Sequence, residues 1–316
     1  MVPYVDAHCH VTTSIKQGHT GSLRSPEAPS VRCVMSNNSY DWQRVKSLTH
    51  QDSNTKIGFG VHPWYCHLYY VGEKDCKLTK ETHYKSVLQG SNTEEVDQII
   101  SRLPEPINLQ EHIQAEFEAT RCACIGEIGL DKLFRLPENG FFQGDERAPL
   151  SRVKVSMDHQ TRVFIEMCKL AAKHSLAVSI HCVKSPSLMF ELCKKHLLTH
   201  SDVNLCLHSF TGSLETLTGS WLKTFPSERL FLSFSSYINL KNDDSAAKLV
   251  KALPRECILT ETDFTWDTAD PASIIRELDL ILSHIAHQHD LQSLQEAKEL
   301  VYSNFQRFIS QNLSIP

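Results

Sequence analysis

The chain has 316 residues, 41% of them hydrophobic, enough for one large core or two ordinary domains. Its formal charge of -5 and its lack of a basic block argue against a broad positive face that grips nucleic acid regardless of sequence. No apolar run approaches a membrane span and no secretory core follows Met1; the 11 cysteines, mostly inside apolar runs and without a CxxC pair, read as reduced thiols of a soluble cytoplasmic or nuclear protein.

The first ten residues predict a strand over Tyr4–His10. Alternation puts Asp6, His8 and His10 on one face and Cys9 on the other. Two imidazoles on one rigid face can grip a metal ion; they can equally be a solvated pair at a frayed end. Further apolar runs at Val31–Ser36, Lys56–Val61, Ala123–Ile128, Ala177–Cys182, Asn204–Ser209, Leu230–Ser235 and Ile258–Asp263 raise the strand count to about eight. Apolar character on both faces fits parallel strands covered by helices. Helical spacing recurs between them, at His159–His174, Pro186–His196, Leu214–Thr224, Asp244–Leu253 and Ile274–His287, and again at Leu294–Ser310. Strand-then-helix alternation predicts a TIM-type (β/α)8 barrel. Two connections, about 64–103 and 131–156, are long and read as loops on the face that carries the chemistry. No repeat or linker divides the chain, so it reads as one domain over 1–316.

Ionisable residues stand at the predicted strand ends: His8 and His10, then His62, Glu127, His181, His208 and Asp263. A single buried histidine or carboxylate is usually a satisfied core residue. So many at one end of one barrel would be costly to bury unless something pairs them, and metal ions do so. Imidazole with carboxylate suits Zn, Mn or Fe, whereas Mg prefers oxygen-rich sites. The set is large enough for two ions with one carboxylate bridging. A pair of ions ~3.5–4 Å apart clamps attacking and leaving oxygens, which points to hydrolysis, most naturally of a phosphodiester.

The motifs His8-Cys-His10, Gly60-Val-His-Pro63, Gly126-Glu-Ile-Gly-Leu-Asp131, Ile180-His181, Leu207-His-Ser-Phe-Thr-Gly212 and Glu261-Thr-Asp263, closed by Val301-Tyr-Ser-Asn-Phe305, resemble the TatD family of metal-dependent deoxyribonucleases in the amidohydrolase superfamily. Within it, the fungal branch typified by the Cut-nine-interacting TatD-like protein is the nearest likeness. The resemblance implies a metallo-dependent hydrolase acting on ester bonds, a DNase with two divalent ions (Mg, Mn or Zn). It implies a first ion on His8, His10, Glu127 and Asp263 and a second on Glu127, His181 and His208, with Glu127 bridging. Asp263 would orient or deprotonate the attacking water, and His62 would line the substrate entrance and contact phosphate. Asp131 would orient its neighbours. The implied substrate is DNA, single-stranded or at a duplex end, trimmed as by an exonuclease.

Two departures stand out. Many members of the family carry an arginine two residues after the histidine of the fifth strand; here Val183 stands there and Lys184 follows, a point charge instead of a fork. Phe264 and Trp266 follow the last aspartate, as a pocket wall or as surfaces on which a base can stack. Other readings are an amidohydrolase acting on a small amide or ester, and a TatD-like scaffold whose long loops bind a protein partner.

Overall fold

The computed structural model describes residues 2–11, 28–48, 53–72, 78–142, 148–241, 243–266 and 269–310. Eight parallel strands form one sheet in chain order: β1 Tyr4–His10, β2 Ser30–Met35, β3 Thr55–Phe59, β4 Cys124–Asp131, β5 Ala177–Val183, β6 Leu205–Leu207, β7 Leu230–Phe234 and β8 Ile258–Thr260. The last strand returns to the first. Thr260 Oγ1 donates to Val5 O at 2.6 Å and the Asp263 amide to His8 O at 3.0 Å, so the sheet curls into a nearly closed barrel. Val34, Ile57, Ile125, Val178, Leu205, Leu232 and Ile258 are fully buried. Strands covered on both faces must be apolar along their length, which is why all eight appear in the sequence as apolar runs.

The strand ends differ from expectation in an instructive way. β4 continues to Asp131, whereas β3, β6 and β8 stop at Phe59, Leu207 and Thr260. His62, His208 and Asp263 therefore sit in the turns just beyond the sheet. The closing helix, Leu294–Ile309, is stapled to the barrel by Asn304, whose side-chain amide donates to Arg255 O and Ile258 O, both at 2.8 Å.

The two long connections are not plain loops. The first carries helices Lys80–Val87 and Thr93–Arg102, capped by Thr79 and Asn92, whose side chains accept from the amides of Thr82 and Glu94. The second pairs with it: Lys154–Val155 lies antiparallel to Leu88–Gln89. Residues 73–77 and 143–147 lie outside the described residues. Helices Ser39–Leu48 and Leu109–Glu116 also went unread, being short and mostly polar.

Three buried histidines tie these connections to one another and to the helix Met157–His174. His67 Nε2 faces Gly140 O at 3.1 Å, His83 Nε2 faces His67 O at 2.8 Å and His159 Nε2 faces Cys66 O at 2.9 Å. Each carbonyl requires an N–H donor. Burial pulls His67 down to about 3 and His159 to about 4. Groups depressed in the folded state contribute stability that is whole above their ordinary value near 6.5 and is lost as pH falls toward 4. Each contributes a slope of up to about 1.4 kcal/mol per pH unit in that window. Urea midpoints measured from pH 7 to pH 4.5 should fall steeply, and His159→Gln, which keeps a donor for Cys66 O, should flatten the slope. An unchanged slope in the variant would contradict this account.

Candidate metal centre

Glu127 sits on β4, its side chain in the barrel mouth. The approach of β3 is close there: a Cβ at Gly60 would overlap the Glu127 amide, so only glycine fits. The carboxylate is buried and surrounded. Its Oε2 lies 3.3 Å from His8 Nε2 and 3.4 Å from His10 Nε2. Its Oε1 lies 2.8 Å from His181 Nδ1, 2.9 Å from His208 Nε2 and 3.3 Å from His62 Nε2. Each oxygen thus faces its own set of imidazoles. Asp263 Oδ1 closes the first set, 3.3 Å from His10 Nε2 and 3.9 Å from His8 Nε2. Its backbone is held at φ 57°, a left-handed conformation that costs a non-glycine residue energy and recurs at functional sites.

The far nitrogens of the imidazoles are held too. Ser179 Oγ is 2.8 Å from His8 Nδ1, and the Asn37 carboxamide is 3.2 Å from His10 Nδ1. Asp131 Oδ2 is 3.5 Å from His181 Nε2 and receives the Trp64 indole N–H at 2.7 Å. The amides of Leu133 and Phe134 donate to its other oxygen at 2.8 and 2.9 Å. Glu261, fully buried, lies 3.4 Å from His208 Nδ1 and accepts from the hydroxyls of Ser209 and Ser233. Such outer partners fix the orientation and tautomer of metal-binding histidines.

The electrostatics call for a cation. Burial opposes charge on Glu127, yet His62, His208 and His8 hold its carboxyl well below the usual range. Burial also opposes a proton on His10, but Asp263 and Glu127 lift it to about 9. His208 rises against burial through Glu127 and Glu261, and His181 through Asp131 and Glu127, while burial and the neighbouring His208 push His8 down. His8 Nε2, fully buried and pointing into the cluster, makes no well-aligned hydrogen bond among the described residues, although Glu127 Oε2 lies 3.3 Å away. A divalent ion would satisfy that nitrogen and displace the protons that the cluster otherwise attracts. Candidate ligand groups are His8 with His10 and Glu127, His8 with His208 and Asp263, and His62 with Glu127 and His181.

The expected residues thus converge, with two adjustments. His62, expected at the entrance, is buried inside the cluster, because the turn after β3 folds inward. Trp266 is buried, its indole N–H donating to Asp6 at 3.3 Å and its ring 4.1 Å from the Arg32 guanidinium, so it has no face for a base. Phe264 lines a cavity beside Asp263, and Lys184 stands exposed at the rim of another beside His208. Asp6 turns to the seam between the first and last strands, not to the cluster. Cys9 is packing, its thiol 3.5 Å from Cys33 O. Glu261, Ser179, Asn37 and Trp64 were not singled out from the sequence. Only Glu261 carried a signal, as a carboxylate at the end of an apolar run.

An eight-stranded parallel barrel with histidines and carboxylates at the C-terminal ends of its strands has a candidate metal centre where enzymes of this fold carry their active sites. Comparison with known proteins narrows this. The TatD related DNase family matches residues 5–310, and the chain belongs to that family. A Saccharomyces cerevisiae protein named as an uncharacterized deoxyribonuclease is 45% identical over 313 residues, covering 96% of this chain and 98% of the relative. The Cut9-interacting protein of Schizosaccharomyces pombe is 29% identical over 299 residues, covering 83% and 87%. Among solved structures, a TatD homologue from Escherichia coli superposes with a TM-score of 0.57 at 18% identity, covering 96% and 97% of the two chains. A TatD family hydrolase from Entamoeba histolytica gives 0.58 at 16%, covering 98% of each. Those two likenesses bear on the fold. The chain is a hydrolase of ester bonds in a metal-dependent family.

Proposed function

We propose that the chain is a divalent-metal-dependent phosphodiesterase that hydrolyses DNA, trimming single strands or duplex ends as an exonuclease. The carrying observation is the two-sided environment of Glu127: its oxygens face separate imidazole sets, the arrangement of a carboxylate that bridges two ions. In this reading His8, His10, Glu127 and Asp263 hold one ion, and Glu127, His181 and His208 the other. Two such ions (Mg, Mn or Zn) lower the pKa of water and offset charge on the phosphate.

The chain's own groups do the rest. Asp263 is the most accessible carboxylate of the cluster, with 27% of its side chain exposed. It is kept ionised, burial being outweighed by His10 and His208, and takes the proton of the attacking water. His62 Nδ1 accepts the Trp64 amide at 3.1 Å, which places its proton on Nε2. An N–H cannot ligate a metal, so His62, whose Nε2 faces Glu127 Oε1 at 3.3 Å, would donate to a phosphate oxygen of the substrate once ions occupy that carboxylate. Asp131 and Glu261 position His181 and His208. Lys184 adds a charge for phosphate, and Phe264 walls the pocket beside Asp263.

Purified protein given Mg or Mn should shorten single-stranded DNA, lose that activity on chelation, regain it on re-addition and hold about two ions per chain, as two ligand sets require. Metal-loaded protein that leaves both 3′- and 5′-labelled strands intact would sink the reading. A second role, binding a protein through the long connections, is supported by exposed Leu133 and Leu150 and by the name of the fission-yeast relative. No helix among the described residues is long and apolar enough to cross a membrane. The free thiols of the ten described cysteines support a reducing compartment, cytoplasm or nucleus.

A further inference from the structure

Two cavities flank the cluster, and they differ in chemistry. One, about 510 Å³, lies beside Asp263 and is bounded by Asp270 and Tyr237. Asp270 adds a carboxylate there and no Lys or Arg among the described residues lines the space, which disfavours a phosphodiester chain. The other, about 470 Å³, shares His208 with the cluster and is walled by Cys182, Met189, Leu207, Phe210 and Trp221, with Lys184 at its rim. It is an apolar recess with one cation at its mouth, opening beside a residue of the metal centre. That volume lies in the range of small-molecule sites.

Two features show that the recess is built and not left over. Residues Leu217–Trp221 form a π-helical turn, a rare irregularity that recurs at functional sites, and it ends on Trp221. The indole, wedged between Phe190 and Phe225 with centroids 5.2 and 5.6 Å away, is 1% exposed. Its N–H has no acceptor among the described residues. That N–H is sealed from the recess as well as from solvent, so the indole serves the recess as an apolar wall. The opposite wall is equally specified. Gly212 has no side chain, and a Cβ there would overlap the Phe210 ring, while Asn239 fixes the Phe210 carbonyl at 3.0 Å.

We infer that this recess holds the nucleobase of the terminal nucleotide, with Phe210 and the apolar wall against the ring and Lys184 near the phosphate that enters the metal centre. The inference rests on the nucleic-acid reading above and adds the form of substrate. A base can reach a blind apolar pocket only when unpaired, so a frayed or single-stranded end is required. Every base presents a flat aromatic face, so the pocket distinguishes base from no base.

Binding of a deoxynucleoside monophosphate and of deoxyribose 5-phosphate, each titrated against the Mn-loaded protein by calorimetry, tests this without catalysis. The nucleotide should bind at least about fivefold more tightly, the lower end of what one base–aromatic contact contributes. Trp221→Phe, which shrinks the apolar wall, should narrow that ratio severalfold. In the cleavage arm, an abasic residue at the attacked end should slow release by a similar factor. Equal affinity for nucleotide and sugar phosphate in the unmodified protein overturns the inference and needs no variant. If no strand is cut yet the nucleotide keeps its advantage, the recess stands and the phosphodiesterase reading falls.

Discussion

Replacing Glu127 by glutamine should empty the metal centre and slow strand cleavage by at least about 1,000-fold, roughly 4 kcal/mol of barrier. The size of the effect follows from position. Five imidazoles lie within 3.4 Å of this one carboxylate, two on one oxygen and three on the other. Glutamine keeps the shape but loses the charge, and it turns one of the two oxygens into an N–H donor. A donor cannot bind a metal, so at least one imidazole set loses its shared ligand. The folded state should survive. Glu127 is not their sole support: Glu261 also lifts His208 and Asp131 also lifts His181, so loss of its charge leaves each histidine with a carboxylate partner. The melting temperature of the metal-free variant should therefore stay within a few degrees of the metal-free parent, while metal content by elemental analysis falls to near zero. A variant that retains two ions per chain and more than a tenth of the parent rate would rule out Glu127 as the bridge.

The barrel was legible because its physics is written locally. Parallel strands buried on both faces must be apolar throughout, and each of the eight showed as a short apolar run. The histidines and carboxylates at their ends were legible because ionisable residues stand out against such runs. Depth was not. His62 looked like an entrance residue since nothing in Gly60-Val-His-Pro63 says that the turn folds inward. Trp266 looked free to stack until Asp6 and Arg32, more than 200 residues earlier, were seen to hold it. The helices of the first long connection failed for a different reason. Lys80–Val87 is polar and only eight residues long, with a weak apolar face; its best local signal was the Thr79 cap. Packing of Tyr84 and Val87 into the core makes it a helix, and such packing is not readable from eight residues.

Asp6→Ala should lower the melting temperature by about 3–6 °C and weaken both metal retention and cleavage by about 10–100-fold, although Asp6 touches no cluster residue. Asp6 is fully buried at the seam where the barrel closes. One carboxylate oxygen accepts the Thr262 amide at 2.9 Å; the other accepts the Thr262 hydroxyl at 2.7 Å and the Trp266 indole at 3.3 Å. These bonds clasp β1 to the turn that holds Asp263 in its left-handed conformation. Without the carboxylate, three buried donors lose their acceptor at about 1–3 kcal/mol each. The loss is partly offset, because Asp6 is itself uncomfortable there: burial lifts its carboxyl to about 7 against the lowering by Thr262 and Trp266. A net cost of about 2–4 kcal/mol is consistent with the predicted melting shift for a chain this long. Asp6→Asn keeps one acceptor for the Thr262 amide and should fall between parent and alanine. Tyr4→Phe supplies the contrast. It removes the Asp279 hydrogen bond of 2.8 Å from the same strand, outside the barrel mouth, and should cost about 1 kcal/mol with metal content unchanged. If Asp6→Ala melts with the parent and cleaves at the parent rate, the seam does not govern the placement of Asp263, and the N-terminal strand matters only for the imidazoles it carries.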